Sequence, residues 1–432
     1  MTGRGRFHTM QAMGHHNGTT VYLAGPHWSP EEERSLLGMA GEIERHGFGS
    51  YLPHRDGIED LYWRHCAGAR PARREAGTED LLRRALFCLE LYQVVRRCGA
   101  LVCSINGRVP DEGAVFKAAL AFAVGKPLVI CKGDNRSAFH GNDNSMVTGL
   151  TPAFKTVKRL SRVPAELAKA IRSFPATPPV PGHLNGMLDL GERIWELVQK
   201  SRGSGEQALV RRIAPLRADL AAATGSRGKD GKRAEGRVVY CSGPLFCPEE
   251  LGAMAGIARQ LEEAGCGTFL PQRDGVEAFV MNRIDSPLAN AWIFKPLQDL
   301  VNRAVFALDI FQIAERCDSF VFNMNGRVPD EGGVVETAVA FALGRPLVIY
   351  NGDRRSLAAG RPHPVIVSAA RTVVEDIRRI PAAVESAAGR AAAGSARYEL
   401  PPQVKRTVNF GRAVWKLLGM IGFLKPRNAL LS

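Results

Sequence analysis

NGRVPDEGGVVETAVAFALGRPLVI, residues 325–349, sets the reading of this 432-residue chain. Its front half is a polar loop with Pro329, paired glycines and the carboxylates Asp330, Glu331 and Glu336. Its back half is apolar for the length of a helix, breaks at Gly344-Arg345-Pro346 and resumes as the strand-length run Leu347-Val348-Ile349. Loop, helix, turn and strand in that order form the unit of an α/β fold. The unit also stands 219 residues earlier as NGRVPDEGAVFKAALAFAVGKPLVI, residues 106–130.

Working outward, the pairing continues. VYLAGPHWSPEEE (21–33) faces VYCSGPLFCPEE (239–250), and YLPHRDGIE (51–59) faces FLPQRDGVE (269–277). KGDNRS (132–137) faces NGDRRS (351–356), and LGERIWELV (190–198) faces FGRAVWKLL (410–418). The chain is read as two copies of one domain joined head to tail, at 19–200 and 237–424. A basic linker at 201–236 contains a short helix near 207–223, and tails lie at 1–18 and 425–432. Trp195 and Trp415 recur at equivalent helix positions and are expected in the core.

In the second copy the apolar pattern predicts strands at 238–242, 268–270, 319–324 and 347–350, and helices at 248–263, 296–316 and 333–343. The fold class is therefore α/β: two tandem flavodoxin-like or Rossmann-like domains, each a parallel sheet flanked by helices. Ligands of such sheets sit at the carboxyl ends of the strands. That rim carries Gly243-Pro244, Gln272-Arg273-Asp274, the loop from Asn325 to Gly333, and Asn351 to Arg355.

Lys and Arg number 57 against 43 Asp and Glu, a net +14 that favours anionic partners. With 7% aromatic residues and no nucleic-acid-binding motif, a nucleic-acid role rests on charge alone and is disfavoured. No apolar run approaches the ~18 residues of a membrane span, and no apolar signal segment opens the chain. The nine scattered cysteines include no C-x-x-C pair and are read as reduced thiols of a cytoplasmic protein, with no metal site. Dinucleotide, P-loop, zinc-protease and serine-hydrolase motifs are missing.

Glu336 is placed in the first turn of the helix after Gly332-Gly333, where the dipole favours an ionised carboxylate by ~0.3–1 kcal/mol. An ionised carboxylate at a cleft suits displacement at a sugar carbon; a capping role is the bland alternative. Arg273 reads either as a salt-bridged turn or as a phosphate clamp, and Arg327 as a phosphate ligand or a solvated loop residue. Gln272 is a candidate base contact.

The pattern Tyr240-Cys-Ser-Gly243-Pro244-Leu-Phe246, followed by Asp330-Glu-Gly332-Gly-Val-Val-Glu336-Thr-Ala-Val-Ala340, resembles the nucleoside 2-deoxyribosyltransferase family. The resemblance spans most of each copy and implies a flavodoxin-like fold and cleavage of an N-glycosidic bond. It implies that Glu336 attacks the anomeric carbon and holds the sugar until a second base, or water, takes it. By the same resemblance Tyr240 orients Glu336, Asp330 serves the sugar hydroxyls and Asp309 serves the base. Gly243, Pro244, Gln272, Arg273, Asn325, Arg327 and Gly332 form the substrate-binding rim. No cofactor or metal is implied.

The first copy keeps Tyr22 and Asp111 but has Lys117 where the second has Glu336. An ammonium cannot replace the carboxylate in a displacement, so this copy is read as a degenerate site. Sites of the family are completed by a neighbouring subunit, so the first copy is expected to be a built-in partner in an internal pseudo-dimer, with further homo-oligomerisation open. Three functions follow: deoxyribosyl transfer from a nucleoside to a nucleobase acceptor; hydrolysis of nucleoside 5′-monophosphates by the same carboxylate; and a non-catalytic nucleotide sensor or scaffold.

Overall fold

The computed structural model describes residues 18–68, 77–137, 143–174, 180–225, 236–277, 295–353, 355, 361–370, 372–391 and 398–422. Most of the two expected tails and the middle of the linker lie outside these residues.

Two parallel sheets form. The first has the order β2-β1-β3-β4, from Gly49–Tyr51, Thr20–Ala24, Ala100–Ser104 and Leu128–Cys131. The second has the order β6-β5-β7-β8-β9, from Gly267–Phe269, Val238–Ser242, Ser319–Asn323, Leu347–Tyr350 and Thr372–Val374. The central strands are buried throughout, which is why they read as unbroken apolar runs rather than alternating ones. The second order is that of doubly wound flavodoxin-like sheets, whose crevice opens where neighbouring strands 1 and 3 send their helices to opposite faces. Here that crevice lies between β5 and β7.

Each sheet is backed by a helix pair crossing at a glycine. Thr78–Tyr92 packs on Asn185–Lys200, and Lys295–Phe311 on Pro402–Met420. A Cβ at Gly191 or Gly411 would overlap the carbonyl of Cys88 or Ala307. Trp195 lies edge-on to Tyr51 at 5.7 Å and Trp415 lies 6.1 Å from Phe269, so both sit against the sheets as expected.

Beyond one-residue shifts at element ends, four features depart from the sequence reading. The helix expected from 333 begins at Glu331, because Asp330 caps it. The helix expected to reach 316 is α-helical to Phe311 and widens into a π turn at Gln312–Arg316. β9 extends the second sheet beyond the strands expected. The expected linker helix is two helices, Glu206–Ile213 and Arg217–Thr224, that belong to the first copy's body. Their Ile213 and Leu220 are buried, as is Leu216 in the turn between them, and Arg84 Nη1 donates to Thr224 Oγ1 at 2.7 Å.

The helices Glu112–Ala123 and Glu331–Ala342 pack against each other, so the copies share one apolar core. Phe341 meets Phe87 at 5.4 Å and Phe116 at 6.3 Å, and Phe122 meets Phe306 at 5.7 Å.

Candidate active site

Tyr240 and Ser242 stand two residues apart on β5 and so point to one face of the strand. That face meets the helix Glu331–Ala342. The Tyr240 hydroxyl donates to Glu336 Oε1 at 2.7 Å, and the Ser242 hydroxyl donates to Glu336 Oε2 at 2.5 Å. Tyr240 is itself held between Phe269 and Phe320, with ring centroids 5.3 and 5.4 Å away. Gly243 permits the strand end to approach, since a Cβ there would lie 2.6 Å from Met254 Sδ and 2.8 Å from Asn323 Cβ. Pro244 follows, buried.

Glu336 is a residue of the second helical turn, not the first, so the helix dipole acts first on Asp330. Burial pushes the Glu336 carboxyl up to about 8, while the Ser242 and Tyr240 hydroxyls pull it back. Asp309, from the helix Lys295–Phe311, is pushed well above the usual range by burial and by neighbouring Glu277 and Glu336. Burial likewise raises Glu277 to about 7. Three carboxyls and one phenol thus share a buried cluster against β5.

Asp330 is a helix cap: its oxygens accept from Gly332 N at 3.3 Å and Gly333 N at 2.7 Å, and burial raises it to about 6. Asn325 joins two rim loops, its Oδ1 accepting from Gly352 N at 2.7 Å and Asp353 N at 2.9 Å. Gln272 donates to Leu251 O at 2.9 Å, which ties it to the neighbouring helix Pro248–Glu263. Arg273 is tied to its own turn. Its Nε and Nη2 bind Asp274, its Nη1 binds Glu262 at 2.8 Å and its Nη2 also binds Thr268. Every guanidinium nitrogen is therefore engaged, as in the salt-bridged-turn reading. Arg327 is exposed on the rim loop.

The first copy fills the same place differently. Lys117 Nζ lies 3.4 Å from Glu59 and 3.4 Å from Glu90, the counterparts of Glu277 and Asp309. Tyr22 donates to Glu90, and Tyr51 does so at 3.3 Å. Burial acts to lower the Lys117 ammonium, but the two glutamates outweigh it and hold the charge on. Glu59 is correspondingly held down at about 2: burial opposes this, and Lys117, His27 and His363 overcome it. Asp111 caps its helix through Ala114 N at 2.7 Å and accepts from Trp28 Nε1 at 2.9 Å. Tyr22, Asp111 and Lys117 therefore stand together, in a site closed by its own ions.

The copies also exchange loops. Asn144, which caps the turn Ser145–Thr148 through Met146 N at 2.9 Å, reaches the second site: a Cβ at Gly332 would lie 3.3 Å from Met146 Cγ and 3.6 Å from Asn144 Nδ2. In return His363, which caps Pro364–Ala369, reaches the first: a Cβ at Gly113 would overlap its ring.

Two residues of the cluster are not singled out by sequence alone. Ser242 faces Ala24 in the repeat, so comparing the copies gives no sign of it. Glu277 is retained as Glu59 at the end of Arg-Asp-Gly-x-Glu, and that internal agreement is the available signal. Among the described residues no group of His, Cys, Asp and Glu is arranged to hold a metal ion. No described helix is long and apolar enough to cross a membrane.

Compared with known proteins, residues 239–391 match the family model of nucleoside 2-deoxyribosyltransferase, from β5 to the end of the helix Ile380–Ala391. Among solved structures, the glycosyltransferase SnogD from Streptomyces nogalater is similar at 12% identity over 92% of this chain and 99% of its own, with a TM-score of 0.20. No curated protein matches the chain.

Proposed function

We propose that the second copy cleaves the N-glycosidic bond of a 2′-deoxyribonucleoside through a covalent sugar–Glu336 intermediate and transfers the deoxyribosyl group to another nucleobase. The observation that carries this reading is the Glu336 carboxyl, fixed by two hydroxyls in a buried cluster with the carboxyls of Glu277 and Asp309. Both Glu336 oxygens accept hydrogen bonds, which draws its buried carboxyl back toward the ionised form that displacement needs. An oxocarbenium-like transition state is stabilised by such a carboxylate, and departure of the base needs a proton. The first copy, with an ammonium at that position, acts as the partner that brings Asn144 and Met146 to Gly332.

The test is mass spectrometry of the protein mixed with a 2′-deoxy-2′-fluoro nucleoside. A sugar adduct on the peptide bearing Glu336 is expected, and Glu336→Gln should give none and lose more than about 10³-fold in turnover. An adduct elsewhere, or undiminished turnover, removes Glu336 as nucleophile. The exposed Arg327 keeps a second reading open, hydrolysis of a nucleoside 5′-monophosphate by the same carboxylate. Adding an acceptor base separates the two: base exchange supports transfer, and free sugar alone supports hydrolysis.

A further inference from the structure

We infer that Glu277 is a positioning residue that shares a proton with Asp309 and so makes Asp309 the acid for the departing base. This inference rests on the proposed glycosidic cleavage. Its geometry is visible twice. In the first copy the counterparts Glu59 and Glu90 both lie 3.4 Å from one Lys117 Nζ, so these two positions converge on a single point. Among the described residues of the second copy no ammonium stands there. Glu277 Oε2 and Asp309 Oδ1 are buried and accept from no N–H or O–H of the described residues. Buried polar oxygens are almost always partnered. Two carboxyls that converge as Glu59 and Glu90 do, each with an unpartnered buried oxygen, are reconciled by a proton between them. A proton therefore performs for Glu277 and Asp309 what Lys117 performs for Glu59 and Glu90. Gly275 makes the arrangement possible, since a Cβ there would overlap Glu277 Oε2.

The step balances. As a Glu336 oxygen bonds to C1′, the C1′–N bond breaks and its electron pair goes to the base nitrogen. Asp309 passes the shared proton to that nitrogen. The negative charge that Glu336 loses on forming the ester appears on the Glu277–Asp309 pair, so the charge of the buried cluster is unchanged. An incoming base returns the proton from its own N–H as it displaces the ester.

The experiment compares two substrates on the full chain. 2′-Deoxyadenosine carries a neutral base that needs a proton to leave; 7-methyl-2′-deoxyguanosine carries a cationic base that does not. Glu277→Gln should slow the first by about 10²-fold or more and the second by less than about 3-fold, because only the first uses the acid. Glu277→Asp, which keeps a proton-sharing carboxyl, should recover part of the loss, and it reads the same ratio if Glu277→Gln does not fold. Equal slowing of both substrates, or slowing of neither, overturns this role and leaves the proposed cleavage standing. A wild-type chain inert toward both removes the cleavage and this inference with it.

Discussion

At the scale of single residues, the chemistry depends on carboxyls kept away from water. Glu336 titrates near 4.5 when unperturbed and at about 8 in the fold. Between those values the native state holds a proton that the unfolded chain has released, so stability falls as pH rises through this window and is insensitive to this group below it. Glu336→Gln removes the term. By calorimetry its melting temperature should gain on the wild type from pH 5 to pH 8 and level off above, and a constant difference across that window would contradict the buried placement. The contrast between Glu336 and Lys117 is legible in sequence, because the repeat aligns them. The roles of Ser242 and Glu277 are not, because each depends on which element runs alongside: β5 beside the helix Glu331–Ala342, and the end of the Arg273 turn beside Asp309.

At the scale of elements, the central strands are legible because they are buried on both faces, whereas the half-exposed edge strand β9 is not, and the helix start at Glu331 is hidden by the glycines that follow it. Asp330 supplies the cap that lets Gly332 and Gly333 be helical. Gly333 has a further use. A Cβ there would overlap the Phe322 ring and lie 3.0 Å from Ser242 Oγ. The first copy has Ala114 at this place, with Cys103 and Ala24 opposite in exchange for Phe322 and Ser242. Gly333→Ala should therefore push Ser242 off Glu336, cost about 1–3 kcal/mol in stability and lower turnover more than substrate binding. Urea denaturation with steady-state kinetics checks both effects. The helices Glu206–Ile213 and Arg217–Thr224 were read as linker because their sequence is charged, and only their packed side reveals that they cover the first copy.

At the scale of the whole molecule, the shared core makes the two copies one unit. Phe341 touches rings of the first copy from a helix of the second. Phe341→Ala should cost about 3–5 kcal/mol and shift a single unfolding transition that reports on both sheets; two transitions, only one of them shifted, would count against a common core. The loop exchange has a consequence of its own. When two separate chains lend each other loops, the loan ends as the solution is diluted and they part. Here lender and borrower are covalently joined, so Asn144 reaches Gly332 at an effective concentration fixed by the tether and not by how much protein is present. The two loops are also encoded separately, which leaves Asn144 and His363 free to differ where identical chains would have to carry the same residue.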